Sequence, residues 1–437
     1  MLNITGGASA GSKRHAPSAR NKKGGATLTE YFDELETRDP EQRERALMAA
    51  LPKQIALAKS TEGYAKTLAE IDPESITSRD ALASLPVTRK SDLIDLQAKS
   101  PPFGGLNATP VGQMARLFLS PGPIAEPEGQ KADFWRMARA LYAAGFRAGD
   151  IIHNCFSYHL TPAGFLFDGA ARTVGCAVVP GGVGQTDLQV QTIAHFRPDG
   201  YAGTPDFLKL LLAKADELGT DISSIKKALV GGGALLPPLR KEYAERGIKV
   251  LQGYGTADVG NIAYESEAQE GMIIDEGIIL EIVRPGTGDP VAEGNVGEVV
   301  VTLLNEDYPL VRFGTGDLSA ILPGISPCGR TAPRIKGWMG RADQRTKVRG
   351  MFVDPVQVDR VLKKHADVTR MRLIIDEDGG LDTVTLRCET ASQDDGLAAA
   401  IADSFQSECK VRTTVELAPS GSLPNDGKII DDIRKYD

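Results

Sequence analysis

Four short segments bring together the residue types needed to handle a charged, planar ligand, and each stands at the end of an apolar run or on a polar loop. The first is Val230-Gly231-Gly232-Gly233-Ala234, whose glycines let backbone approach such a ligand and leave N–H groups free to bind it. The second, Leu251-Gln252-Gly253-Tyr254-Gly255-Thr256-Ala257-Asp258, sets a ring, a hydroxyl and a carboxylate close together, as a stacking surface, a phosphate donor and a metal-side acceptor. In Phe313-Gly314-Thr315-Gly316-Asp317 a carboxylate on a glycine-flanked turn can accept two hydrogen bonds from ribose hydroxyls. The fourth segment, Leu423-Pro424-Asn425-Asp426-Gly427-Lys428, offers one lysine from a loop near the end of the chain. Taken singly, each has an ordinary structural reading as a connecting turn, a buried tyrosine or a solvated lysine.

The elements that position these segments follow from periodicity. Residues 31–65 have a helical pattern, with Arg43, Glu44 and Arg45 facing water between Leu47, Leu51, Ile55 and Leu57. Short apolar runs at 150–154, 177–179, 228–230 and 248–251 then alternate with helix-period stretches such as 237–246, which implies an α/β fold with largely parallel sheets. Ligand sites in such folds lie at the carboxyl ends of strands. Between 278 and 320 the texture changes to strands and glycine turns, a small antiparallel or barrel-like lobe. Past residue 340 the pattern predicts a compact α+β domain, with helices at 355–365 and 396–408 and strands at 370–375, 383–388 and 412–417. The charged stretch from Gly340 to Gly350, which includes Arg341 and Asp343, joins the two compositions, where a hinge would sit. The expected organisation is a basic tail over 1–29, a large domain over 30–340 and a small one over 341–437.

A chain of 437 residues with 41% hydrophobic and 25% charged residues has the composition of packed domains rather than of a disordered or fibrous chain. Its net charge of -8 argues against nucleic acid as the main ligand. No stretch is apolar enough to cross a bilayer, and the start lacks a secretory core, so no membrane partner and a cytoplasmic location are expected. Cys155, Cys176, Cys328, Cys388 and Cys409 are scattered without a paired CxxC, which reads as reduced thiols.

Read in order, the segments resemble the adenylate-forming (AMP-binding) superfamily, and most closely its phenylacetate-CoA ligase family. VGGGALLPPLRKEY is similar to the family's adenine-contacting turn, GYGTADVG to its YGxxE segment, RFGTGDL to RTGDL, GRADQRTKVRG to the hinge and LPNDGK to the catalytic-lysine loop. The resemblance implies an α/β large domain of several subdomains and a small mobile α+β domain. It implies two half-reactions: a carboxylate and Mg-ATP give an acyl-adenylate and pyrophosphate, then the thiol of CoA displaces AMP. By the resemblance, Lys428 is catalytic, Asp317 holds the ribose, and Arg341 reaches the ribose or a phosphate. Gly232, Gly233, Ala234, Tyr254 and Gly255 line the nucleotide, with Thr256 and Asp258 on the phosphate and magnesium side. Asp343 is the hinge, and Phe156, Tyr158, His159 and Thr161 line the acid pocket. The implied partners are a small carboxylic acid, aromatic or similar, with ATP and CoA; relatives often form homodimers.

The chain departs from the pattern where the family reads SSGTTGKPT. Here Ser120-Pro121-Gly122-Pro123-Ile124-Ala125-Glu126-Pro127 loses backbone donors to prolines and places Glu126 where the family has lysine. This loop raises a rival reading, a relative that binds nucleotide or acid without turning over ATP; the resemblance itself leaves a third, an adenylyl transferase resembling coenzyme F390 synthetase. Of the cysteine and histidine positions that hold zinc in many relatives only Cys328 remains, so no structural zinc is expected.

Overall fold

The computed structural model describes residues 31–434 except 121–122, 234, 343, 345, 349–350, 379–380 and 393. The basic tail, Gly122, Ala234 and Asp343 thus lie outside the described residues.

Among the described residues the largest sheet has nine strands. Five run parallel, in the order Ala177–Pro180, Ile151–Asn154, Gly200–Gly203, Lys227–Val230 and Lys249–Thr256. Helices Ala163–Val174, Thr186–Phe196, Pro205–Leu218 and Pro237–Glu245 make the crossovers. Ile152, Ala202, Leu229 and Leu251 are buried, as continuous apolar strands require when helices cover both faces. The strand Lys249–Thr256 serves two regimes. Its first half pairs parallel with Lys227–Val230, and its second half pairs antiparallel with Gly260–Glu265 after an irregularity at Tyr254 and Gly255. A Cβ on Gly255 would stand 2.3 Å from the Gly260 carbonyl oxygen, so only glycine fits there. Because Val230 pairs with Gln252, the glycine turn leaves the sheet beside Tyr254, which lies two residues farther along the neighbouring strand.

The lobe expected over 278–320 is an open sheet in which Ile278–Val283, Gly297–Leu303 and Phe313–Ser319 run antiparallel. Its fourth strand, Thr88–Arg89, comes from far earlier in the chain and lies parallel to Phe313–Ser319. Arg312 enters this sheet buried, meeting both carboxylate oxygens of Glu281 at 3.0 Å and the carbonyls of Ala83, Leu85 and Gly288. That ties the strand bearing Asp317 to three other segments.

The helical stretch expected over 31–65 is broken into a 3-10 turn Glu34–Thr37, a helix Pro40–Lys59 and a short helix Glu62–Ala65. The first break has a local cause: Asp39 accepts from the Gln42 N–H at 2.9 Å, and Pro40 takes the first helical position, where its missing N–H costs nothing. Towards the carboxyl end, Val368–Asp378 and Leu381–Thr390 form an antiparallel pair flanked by Thr414–Ala418 and Ile430–Asp432, each in parallel register. Helices Pro355–Lys363 and Asp395–Cys409 cover this sheet, whose separate core includes Val358, Leu373, Leu386, Ile401 and Phe405.

Candidate nucleotide site

A cavity of about 650 Å³ opens where the parallel strands end. Gly232, Gly233, Gln252, Tyr254, Gly255, Asp317 and Trp338 contribute to its lining, so five residues expected at the nucleotide, from Gly232 to Asp317, share one space although 85 positions of chain separate the first of them from the last. Gln252 holds the turn in place by accepting from the Leu235 N–H at 3.2 Å, and it is itself fixed by Glu265, which Arg240 meets at 2.7 Å.

The Asp317 carboxylate gathers three donors in this cavity. Its Oδ2 accepts from the Tyr254 hydroxyl at 3.0 Å, and its Oδ1 accepts from Arg341 Nη1 at 2.9 Å and from the Trp338 indole N–H at 3.1 Å. Burial raises the Tyr254 hydroxyl well above its ordinary pKa, with the Asp317 charge adding to the effect. Tyr254 therefore remains a donor at any physiological pH. Gly316 has a φ of +74°, and a Cβ there would lie 2.7 Å from Arg341 Nη2, so the glycine lets the guanidinium close over Asp317.

The phosphate-side residues lie outside that cavity. The Thr256 hydroxyl accepts from the Val259 N–H at 3.2 Å and closes the turn after the strand. Asp258 is buried and paired with Lys90 at 2.5 Å through Oδ2, while its Oδ1 has no hydrogen-bond partner. The altered loop joins the strands Arg116–Ser120 and Ile124–Glu128. Glu126 points inward: Oε1 accepts from the Ser120 hydroxyl at 2.6 Å, and Oε2, fully buried, has no partner. Burial raises its pKa from 4.5 to about 7, the nearby Asp258 adds to the rise, and Ser120 and Lys90 oppose it. The lysine-to-glutamate exchange is thus not a full negative charge facing a phosphate, because the carboxyl is folded into the protein and half protonated near neutrality.

Of the residues expected to line the acid pocket, Phe156 stacks on Phe167 with centroids 4.2 Å apart and lies 3.8 Å from a Cβ placed on Gly232, so it abuts the glycine turn. Tyr158 accepts from Asn154 Nδ2 at 2.7 Å and meets the edge of Phe165. The Thr161 hydroxyl is spent on the Ser157 carbonyl at 3.2 Å, and His159 is exposed on the same turn.

Lys428 stands apart from the nucleotide cavity. Its Nζ meets Asp431 at 2.6 Å, and it lines two other clefts, of about 430 Å³ and about 270 Å³, the second shared with Arg341. Its loop is held by Gln344, whose Oε1 accepts from the Ile429 and Ile430 N–H groups at 2.5 and 2.7 Å and whose Nε2 donates to the Gly427 carbonyl. Arg370 and Arg372 bind the carbonyls of Leu423 and Pro424. The sequence reading missed Gln344, Lys90, Trp338 and these arginines. Gln344 carries a usable signal in its position beside the expected hinge; the others carry none.

Comparison with known proteins decides what this constellation belongs to. The phenylacetate-coenzyme A ligase of Thermus thermophilus is 32% identical over 382 residues, covering 83% of this chain and 84% of that one. That of Escherichia coli is 30% identical over 82% and 86% of the two chains. The chain belongs to this ligase family. Residues 158–303 match the AMP-binding enzyme family and residues 350–432 the AMP-binding enzyme C-terminal domain. A 2-hydroxyisobutyryl-CoA ligase solved with 2-HIB-AMP and CoA superposes with a TM-score of 0.69 at 24% identity, over 92% of this chain and 94% of that one, which shows the same fold. The family's matching range ends within the lobe that carries Asp317, and its C-terminal match contains Lys428.

Around Cys328, where relatives hold zinc by the resemblance, the partners are Ser266, Ser326 and Arg330. Burial would raise this thiol, but their hydrogen bonds outweigh it and lower its pKa. Among the described residues no three His, Cys, Asp or Glu side chains are grouped to hold a metal ion.

Proposed function

We propose that this member of the family joins an aromatic or similar carboxylic acid to coenzyme A through an acyl-adenylate made from ATP. The carboxylate oxygen attacks the α-phosphorus as the bond to pyrophosphate breaks; the thiol sulfur of CoA then attacks the acyl carbon, AMP leaves, and the thiol proton passes to solvent. The single observation that carries the reading is Asp317, fixed by Tyr254 and Arg341 on the wall of a cavity floored by the glycine turn. A ribose diol on that carboxylate brings the base towards Gly232, Gly233 and Tyr254, in reach of backbone N–H groups and a fixed phenol ring.

Lys428 supplies the positive charge for the α-phosphate and the incoming carboxylate. It lies in the small domain, proposed as 341–437, and its separation from the nucleotide cavity fits the domain rotation that the family resemblance implies, with Asp343 as the pivot. Arg341 lines one of the lysine's clefts while bonded to Asp317, so it links the two halves of the site. Asp258 is the residue for the magnesium that accompanies ATP, its Oδ1 having no other partner. Lys90, on the other oxygen of Asp258, is a cation beside the altered loop. Phe156 and Tyr158, backed by Phe167 and Phe165, offer the acid an aromatic wall beside the glycine turn. The experiment is direct: ATP, CoA and a panel of aryl and short-chain acids, followed by mass detection of acyl-CoA and AMP, with Asp317→Asn expected to weaken AMP binding by tenfold or more.

A further inference from the structure

The lone pairs of Asp317 set a limit that singles out Trp338. A carboxylate offers about four acceptor positions. Three are taken, by Tyr254, Arg341 and Trp338. A ribose diol brings two O–H donors, which makes five against four, so a present donor must leave. The three differ in how firmly they are held. Tyr254 is buried at the end of a sheet strand, and Arg341 is charged and makes the shorter bond at 2.9 Å. Trp338 makes the longest bond, carries no charge and is 52% exposed on the cavity wall.

We infer that Trp338 is a nucleoside-positioning residue: a ribose hydroxyl replaces its indole N–H on Asp317, and the released ring turns its face to the nucleoside. This rests on the reading of Asp317 as the ribose carboxylate. The composition of the cavity wall supports the second half. Leu236, 61% exposed, lines the same cavity as Trp338, so two large exposed apolar side chains that would be costly to leave wet border a space whose other apolar lining, Leu235 and Met272, is buried. A planar base is the ligand that uses both.

The chain has two tryptophans, and the other, Trp135, is buried, so indole emission reads Trp338 once the Trp338→Phe variant is used as the blank. AMP and 2′,3′-dideoxy-AMP are titrated into both proteins by calorimetry and fluorescence. The exchange predicts an emission change with AMP that is absent with the dideoxy compound and absent in Trp338→Phe. Because phenylalanine has no N–H to displace, the variant also binds AMP roughly threefold to tenfold tighter while its affinity for the dideoxy compound stays within about twofold. AMP bound without an emission change, or a variant that shifts both ligands alike, overturns the exchange and leaves the ribose assignment standing. Equal binding of the two ligands by the unmodified protein overturns the ribose assignment and the exchange with it.

Discussion

Replacing Glu126 by glutamine removes one titration from the protein's interior and changes how stability depends on pH. Burial raises this carboxyl from 4.5 to about 7, so the folded chain holds the proton more tightly than the unfolded chain does. The sign follows: the stabilisation is complete below pH 4.5 and is lost as pH rises to about 7. At about 1.4 kcal/mol for each pH unit, the whole window is worth about 3 kcal/mol, most of which falls between pH 5 and pH 8. Glutamine has the shape of the protonated acid and does not ionise. Chemical denaturation of the natural chain and Glu126→Gln at pH 5 and pH 8, with chelator and without nucleotide, measures the double difference. The variant should gain about 2 to 3 kcal/mol on the natural chain over that interval. Curves that stay parallel within about 0.5 kcal/mol would show that Glu126 is ionised throughout, and the muted-charge account of the altered loop would fall with them.

Lys428→Ala should abolish adenylate formation and leave thiolysis of a supplied acyl-adenylate much less affected; the two half-reactions are assayed separately, and equal loss of both refutes the role given to the lysine. Gln344→Ala frees the backbone of the lysine loop and should lower the adenylation rate with little change in AMP affinity, since Gln344 touches the loop and not the nucleotide cavity. Arg312→Ala leaves Glu281 buried without its partner and should destabilise the chain by about 3 to 5 kcal/mol, whereas replacing both residues with apolar ones should recover much of that loss. Metal analysis of the purified protein should find zinc far below one atom per chain, because the thiol of Cys328 is surrounded by two serines and an arginine rather than by further thiolates or imidazoles.

What could be read from the sequence is what strand ends dictate. Gly232 and Tyr254 follow apolar runs on neighbouring strands of one doubly covered sheet, so their meeting follows from the pattern, whereas Asp317 arrives in the cavity from a strand of the separate four-stranded sheet. The order of the small domain's elements was legible for the same reason, from period-2 and period-3.6 runs bounded by turns. Contacts between distant segments were not legible. Thr88–Arg89 joins a strand more than 220 positions later, and nothing in two residues announces it. Lys90 reaches Asp258 across 168 positions, and Gln344 supports a loop 85 positions on. Glu126 was readable as a negative charge in place of a lysine, but not as a buried carboxyl, because its burial depends on Gln97 pinning both the N–H and the carbonyl of Ala125. The strand Ile430–Asp432 was missed as well. It is too short to show a period, and it forms because Val368–Asp378 offers an edge beside it.

The central claim is that the altered loop still permits adenylation. ATP–pyrophosphate exchange with a panel of aryl and short-chain acids tests it most directly, run beside calorimetric titration of AMP. The account predicts exchange with at least one acid, lost in Lys428→Ala. Absence of exchange with every acid, in a protein that binds AMP, would contradict it.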